Sequence, residues 1–321
     1  MSGHFVISLD YELLWGLAGW DDEHLEAYEI NVDNANDALL QIVEMLEKYG
    51  MKLTVAYVGT MNNSSVSEVM DEKNGFNAEY NSSIFSAFNS SVPYAKKANK
   101  PSLLFAKDII GQLKDQSHVE LASHTYSHYY CLEDGQTKEM FEKDVELACL
   151  NAEKIGLKLR SIILPRNQIQ PDYMMVCKNK GITHYRGTLC NWLYRTEKTK
   201  SRFSMKGALR FLDTYINISG SNTYPMSEYK DDVLVNVPGS RFLRPFSAKL
   251  SFLEQLKIKR IKNSMTNAAK HGLVYHLWWH PHNFGTNTAE NLGNLKSICE
   301  HYLFLKNKYG YNSSMMSEIN P

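Results

Sequence analysis

Two rhythms of apolar and polar positions alternate along this chain. Short apolar runs read as strands: Phe5-Val6-Ile7 leading to Asp10, then residues 52–58, 119–123, 160–164, 182–186, 233–237 and the run that starts at Leu273. Between them apolar residues recur at helical spacing. Residues 34–48 place Leu39, Ile42, Val43 and Leu46 on one face and stop at Gly50. Further helices are predicted over 103–113, over 137–155 ending at Gly156, from Pro171 to Gly181, and over 250–269. The alternation predicts about seven β/α repeats, and so a parallel barrel or doubly wound sheet in one large domain over 1–321.

One long segment interrupts the rhythm. Residues 60–100 are rich in Asn and Ser, as in Asn62-Asn63-Ser64-Ser65 and Asn89-Ser90-Ser91. They follow the second strand on the edge where barrel enzymes carry their site loops. The expectation is an insertion that covers or shapes a site, with a flexible surface excursion as the alternative.

Composition narrows the class. Lys and Arg number 35, Asp and Glu number 35, and 43% of residues are apolar, which fits a soluble globular chain with ample core material. Nothing in this balance recommends a nucleic acid as partner. The basic run from Lys257 to Lys262 has apolar residues interleaved at helical spacing and reads as a solvated helix face. The five cysteines, at 131, 149, 177, 190 and 299, form no Cys-x-x-Cys pair and suit free thiols in a reducing compartment. No signal-type segment precedes Phe5, and no apolar run approaches the roughly 20 residues of a membrane span, so a cytoplasmic location is expected.

Candidate chemistry collects at three strand ends. His124 and His128, four residues apart, follow the run 119–123; a helical turn starting there would aim both imidazoles the same way, toward one metal ion. Asp10 and Glu12 follow the first strand, and His280 and His282 follow the last. Such a pattern describes a site at one edge of a sheet or barrel.

Asp10 with Glu12, Ser123-His124-Thr125-Tyr126-Ser127-His128, Leu164-Pro165-Arg166-Asn167 and Leu277-Trp278-Trp279-His280 occur in the order of the motifs of the polysaccharide deacetylase family, the NodB-homology domain. The chain resembles that family over essentially its whole length. The resemblance implies a distorted (β/α)7 barrel with an inserted loop region after the second strand. It also implies metal-dependent hydrolysis of an N-acetyl or O-acetyl group on a sugar, in glycan or polysaccharide biosynthesis. His124 and His128 would bind a divalent metal, most often zinc; Arg166 would orient a base carboxylate, and His280 would be the general acid.

The first motif departs from the family's adjacent aspartates, because Tyr11 separates Asp10 from Glu12. Alternate residues of a strand project to one side, so both carboxylates can share a site. The favoured assignment makes Asp10 the base and Glu12 the third ligand; the reverse, or a purely anchoring Glu12, stays open. Two imidazoles and one carboxylate would leave the open coordination position that a catalytic zinc needs. A backbone N–H near Asn167 is a candidate for holding the oxyanion. Candidate substrate contacts are Trp15, which could equally plug a loop, Arg186, which could instead pair with a carboxylate, and His282, which could instead support His280. Trp192, Tyr194, Phe203, Phe211, Tyr215 and Tyr224 either stack on sugar rings or pack inside. The expected partner is an acetylated saccharide or a nucleotide- or lipid-linked sugar. An amidohydrolase acting on a non-sugar amide, and a non-catalytic carbohydrate-binding barrel, are the alternatives.

Overall fold

The computed structural model describes residues 2–188, 191–194, 205–229 and 233–320. Its centre is one parallel sheet of nine strands: β1 His4–Tyr11, β2 Leu53–Tyr57, β3 Val119–Ser123, β4 Ser161–Ile162, β5 His184–Tyr185, β6 Val235–Asn236, β7 Arg241–Phe242, β8 Val274–Trp279 and β9 Asn312–Ser314. The order β6-β5-β4-β3-β2-β1-β8-β7 curls the sheet into a distorted, open (β/α) barrel, with β9 added beside β1. All seven strands expected from the apolar runs are in the sheet. Two short ones, β7 and β9, had no apolar run to announce them. β2 and β3 are buried at every position, and so is β1 beyond His4, as a parallel sheet covered on both faces requires.

Helices cover the outside. They are α1 Asp22–Asp33, α2 Ala35–Lys48, α3 Val66–Lys73, α4 Ser91–Lys97, α5 Lys107–Lys114, α6 Lys138–Glu153, α7 Met174–Asn179, α8 Met205–Leu212, α9 Glu254–His271 and α10 Thr288–Tyr309. α2 buries Leu39, Ile42, Val43 and Leu46, the stripe its spacing predicts. α6 starts at Thr137, whose hydroxyl accepts from the Met140 amide at 3.3 Å.

The segment 60–100 is built of short helices and turns, and part of it packs on the loop that follows β3. The Tyr80 hydroxyl accepts from the Tyr130 amide at 3.0 Å, and the Phe85 ring meets the Tyr130 ring edge-on at 5.9 Å. At the opposite end of the barrel, β9 pairs with His4–Val6 of β1, below the point where β2 begins to pair at Ser8. The turn that follows β9 donates the Ser317 amide to buried Glu120, which also accepts from Thr54 and Ser161.

Cys131, Cys149, Cys177 and Cys299 are free thiols, while Cys190 and Phe203 lie outside the described residues. Among the described residues no helix is long and apolar enough to cross a membrane.

Candidate metal centre

Every strand-end residue named above lies at the C-terminal edge of the parallel sheet. Glu12 follows β1, where Leu13 enters the left-handed region at φ 45° and turns the chain into a short 3-10 segment, Leu13–Leu17. The Glu12 side chain then folds over Gly16. A Cβ at Gly16 would stand 2.0 Å from Glu12 Cδ, so this position admits only glycine while Glu12 keeps its place.

His124 and His128 are not on a helical turn, contrary to the expectation from their spacing. They sit in a loop in which Thr125 (φ 64°) and His128 (φ 60°) are both left-handed, and α6 begins ten residues beyond His128. Asp144 of α6 holds that loop. Its carboxylate accepts from the amides of Tyr126 at 2.6 Å and Ser127 at 3.1 Å, and from the Ser127 hydroxyl. A buried carboxylate thus replaces the helical hydrogen bonds that the loop lacks. Leu13, Thr125, His128, Arg166 and Asn167 are all non-glycine residues at positive φ in the loops of this one edge. Strained backbone concentrates where surrounding structure dictates a side chain's direction, at a cost of roughly 1–3 kcal/mol each.

The result is a buried triad. Glu12 Oε2 lies 3.0 Å from His128 Nε2 and 3.3 Å from His124 Nε2, and the three ligand atoms fall within 4.8 Å of one another. The donor set suits a cation. His124 Nδ1 is 2.8 Å from the Ile163 carbonyl, which only accepts, so Nδ1 carries a hydrogen and Nε2 is the atom turned toward the Glu12 carboxylate. Burial lowers the His128 pKa to about 4 despite Glu12, so that ring is neutral and able to ligate. Burial opposes charge on Glu12 as well, but His280, His124 and His128 outweigh it and hold the carboxyl well below its usual range.

Asp10 is held differently. Arg186 donates from Nη1 to Asp10 Oδ1 at 2.6 Å and from Nη2 to Oδ2 at 2.7 Å, a bidentate pair out of solvent. Burial works against the Asp10 charge, yet Arg186, His124 and His280 bring its pKa below the ordinary value. Beneath the pair, Arg186 Nη1 reaches Ser8 Oγ at 3.0 Å, Ser8 meets His276 Nε2 at 2.8 Å, and His276 Nδ1 donates to the Val237 carbonyl at 3.0 Å.

The expectation that Arg166 orients this carboxylate is therefore corrected. The chain turns left-handed at Arg166 and Asn167, which carries the Arg166 guanidinium away from Asp10 to a place 4.2 Å from the Tyr130 ring and 4.0 Å from Glu133. Arg186, reached from β5, takes the position instead. Asn167 buttresses it, its Oδ1 accepting from Arg186 Nε at 3.1 Å and Nη2 at 2.9 Å. The backbone amides proposed for an oxyanion are engaged, Asn167 N–H with Leu164 O at 2.9 Å and Gln168 N–H with Pro165 O at 3.0 Å.

His280 closes the other side and is partly open to solvent. Its Nε2 lies 3.6 Å from Glu12 Oε1 and 3.8 Å from Asp10 Oδ2, while Nδ1 is 3.2 Å from Asn283 Oδ1. His282 is buried, stacked on His280 at 4.9 Å with Tyr28 edge-on behind it, which corrects its placement as a substrate contact. Trp15 is also corrected: it is fully buried and donates Nε1–H to the Leu104 carbonyl at 2.8 Å.

Asp144, Gly16, Asn283, Phe242 and Trp278 were missed from the sequence. Phe242 and Trp278, both partly exposed, pack edge-on at 4.9 Å, and the Phe242 ring lies 5.6 Å from that of His280. Of the aromatics considered for stacking, Tyr194 and Tyr224 instead turn inward to Asp213 and the Pro238 carbonyl.

No family model matches the chain, and no curated protein matches it in sequence. Solved structures do resemble it. One, from Mycobacterium smegmatis and described as a polysaccharide deacetylase, aligns with TM-score 0.57 at 12% identity over 99% of this chain and 89% of that one. Puue allantoinase aligns with TM-score 0.53 at 9% identity over 98% and 88%. The 4-alpha-glucanotransferase from Thermococcus litoralis aligns with TM-score 0.53 at 15% identity, over 99% of this chain and 40% of that chain. At these identities the likeness is one of fold.

Proposed function

We propose that the chain is a metal-dependent hydrolase that removes an acetyl group from an N- or O-acetylated sugar. The observation that carries this reading is the convergence of three different functions within one buried edge. Glu12, His124 and His128 form a donor set for one divalent ion, zinc fitting two imidazoles and a carboxylate best. When bound, such an ion would polarise the acetyl carbonyl and acidify a water.

The remaining work falls to side chains of this chain. Asp10, kept ionised and fixed in direction by Arg186, takes the proton of the attacking water. His280 gives a proton from Nε2 to the leaving nitrogen or oxygen. Its Nδ1 faces the Asn283 side-chain oxygen, which leaves Nε2 as the atom turned to the site. General acid and base groups of this kind each contribute roughly 10²–10⁴ in rate. Phe242 and Trp278 offer an apolar wall for a sugar face beside His280.

The test is acetate release by purified chain from a panel of acetylated monosaccharides, nucleotide sugars and lipid-linked saccharides, with small non-sugar amides alongside. Release that stops with a chelator and in His124→Ala supports the reading. Release confined to non-sugar amides moves it to an amidohydrolase, and no release from any of them overturns it.

A further inference from the structure

A second surface lies on the same rim and holds none of the residues assigned to the chemistry. α8 buries none of its residues, and Met205, Phe211 and Leu212 are exposed along it. Phe211 packs edge-on against Tyr215 at 5.6 Å, with the Arg244 guanidinium 5.2 Å from its ring. Ile216 follows at 60% exposure. Across from it, Phe252 (74% exposed) and Leu256 (46%) stand four residues apart where a 3-10 turn, Ala248–Leu253, runs into α9. Tyr215, Leu256 and Lys259 line one groove of about 390 Å³, so the two stretches are neighbours.

Among residues 240–262 the exposed charges are two lysines, Lys249 and Lys259. Residues 240–262 hold seven cations, Arg241, Arg244, Lys249, Lys257, Lys259, Arg260 and Lys262, against one carboxylate, Glu254; of these cations Arg241, Lys257 and Arg260 are buried. That carboxylate is buried and paired with Lys257 at 2.6 Å, and Asp213 is buried under Arg241 and Arg260. Lys249 and Lys259 stand at the surface.

Its location ties the patch to the site. Phe242, 5.6 Å from His280, belongs to β7, and the chain runs from it past Arg244 directly to Phe252. α8 sits in the connection that leaves the C-terminal end of β5. We propose that this face docks on an anionic lipid bilayer, with Ile216, Phe252 and Leu256 entering the interface and Lys249 and Lys259 meeting headgroup phosphates. Exposed apolar side chains flanked by exposed lysines are what such binding requires. A second copy fits less well, because a two-fold contact through this face would set Lys249 and Lys259 against like charges. The consequence for substrate, a saccharide carried on a lipid, rests on the deacetylase reading; the docking surface does not.

The test is co-sedimentation of the full chain with phosphatidylcholine vesicles, with and without phosphatidylglycerol. The wild type is expected to bind the anionic vesicles and to release as salt rises. Each cation near such a surface strengthens binding by roughly fivefold, so Lys249→Glu with Lys259→Glu should weaken it by more than an order of magnitude. Phe252→Ser with Leu256→Ser should weaken it comparably, with an unchanged circular-dichroism spectrum. Wild type that ignores anionic vesicles, or variants that bind as wild type does, would overturn the proposal. So would a dimer in solution that Phe252→Ser dissolves, since it assigns the face to a second copy. A chain that binds vesicles without releasing acetate keeps the docking surface and loses the deacetylase reading, and the converse result does the reverse.

Discussion

Arg186 grips Asp10 through two hydrogen bonds, at 2.6 and 2.7 Å, in a place where neither side chain meets solvent. Removing one member of a buried pair strands the charge of the other, at a cost of about 3–5 kcal/mol. Arg186→Met should therefore lower the thermal midpoint and cut acetate release by roughly 10² or more. Arg166→Gln, which touches Tyr130 and Glu133 rather than Asp10, should change release by less than about tenfold. Equal losses in the two variants would contradict the geometry.

Gly16 leaves the space that Glu12 occupies. Gly16→Ala puts a methyl group 2.0 Å from Glu12 Cδ and must push the carboxylate aside. Zinc affinity, measured by competition with a chromophoric chelator, should fall at least about tenfold, as losses around metal ligands do. Wild-type affinity in Gly16→Ala would show that Glu12 is dispensable.

Asp144 touches no reacting atom and acts through the loop it holds. Asp144→Asn keeps the size but replaces one acceptor oxygen with a donor, against three donors from Tyr126 and Ser127. Zinc affinity should drop by roughly 10–100-fold while the far-ultraviolet spectrum stays that of the wild type. Unchanged affinity would mean that the left-handed turns at Thr125 and His128 hold themselves.

How far the sequence reached can be judged on these residues. The seven apolar runs gave seven strands because buried parallel strands are apolar on both faces. The grouping of Asp10, Glu12, His124, His128 and His280 followed from strand ends alone. β7 and β9 stay hidden because no apolar run surrounds Arg241–Phe242 or Asn312–Ser314, whereas the equally short β4, β5 and β6 each sit in one. The spacing of His124 and His128 predicts a helical turn, but the loop's hydrogen bonds come from Asp144, sixteen residues beyond His128. The resemblance points to Arg166 as the base's partner, but backbone direction at two consecutive left-handed residues is not written in residue type. Arg186 was visible at the end of its strand, but as one choice between a substrate contact and a carboxylate partner.

His276 gives stability a pH dependence. It is fully buried between Ser8 and Val237, and burial, reinforced by Arg186, lowers its pKa to about 3. The unfolded chain takes up this proton near pH 6.5, so the folded state loses stability as pH falls from there toward 3. Between about pH 6.5 and pH 5 this one ring is worth at most roughly 2 kcal/mol. The urea midpoint should fall over that interval, and less steeply in His276→Gln. A midpoint that rises on acidification would contradict a neutral buried ring.

Calorimetric titration of zinc into the metal-free full-length chain separates the two carboxylates at the site. Wild type and Asp10→Asn should each bind one ion per chain, while Glu12→Ala and His124→Ala should lose that binding. An Asp10→Asn chain that binds nothing, beside a Glu12→Ala chain that binds as wild type does, would contradict the arrangement of Glu12, His124 and His128 as the ligand set.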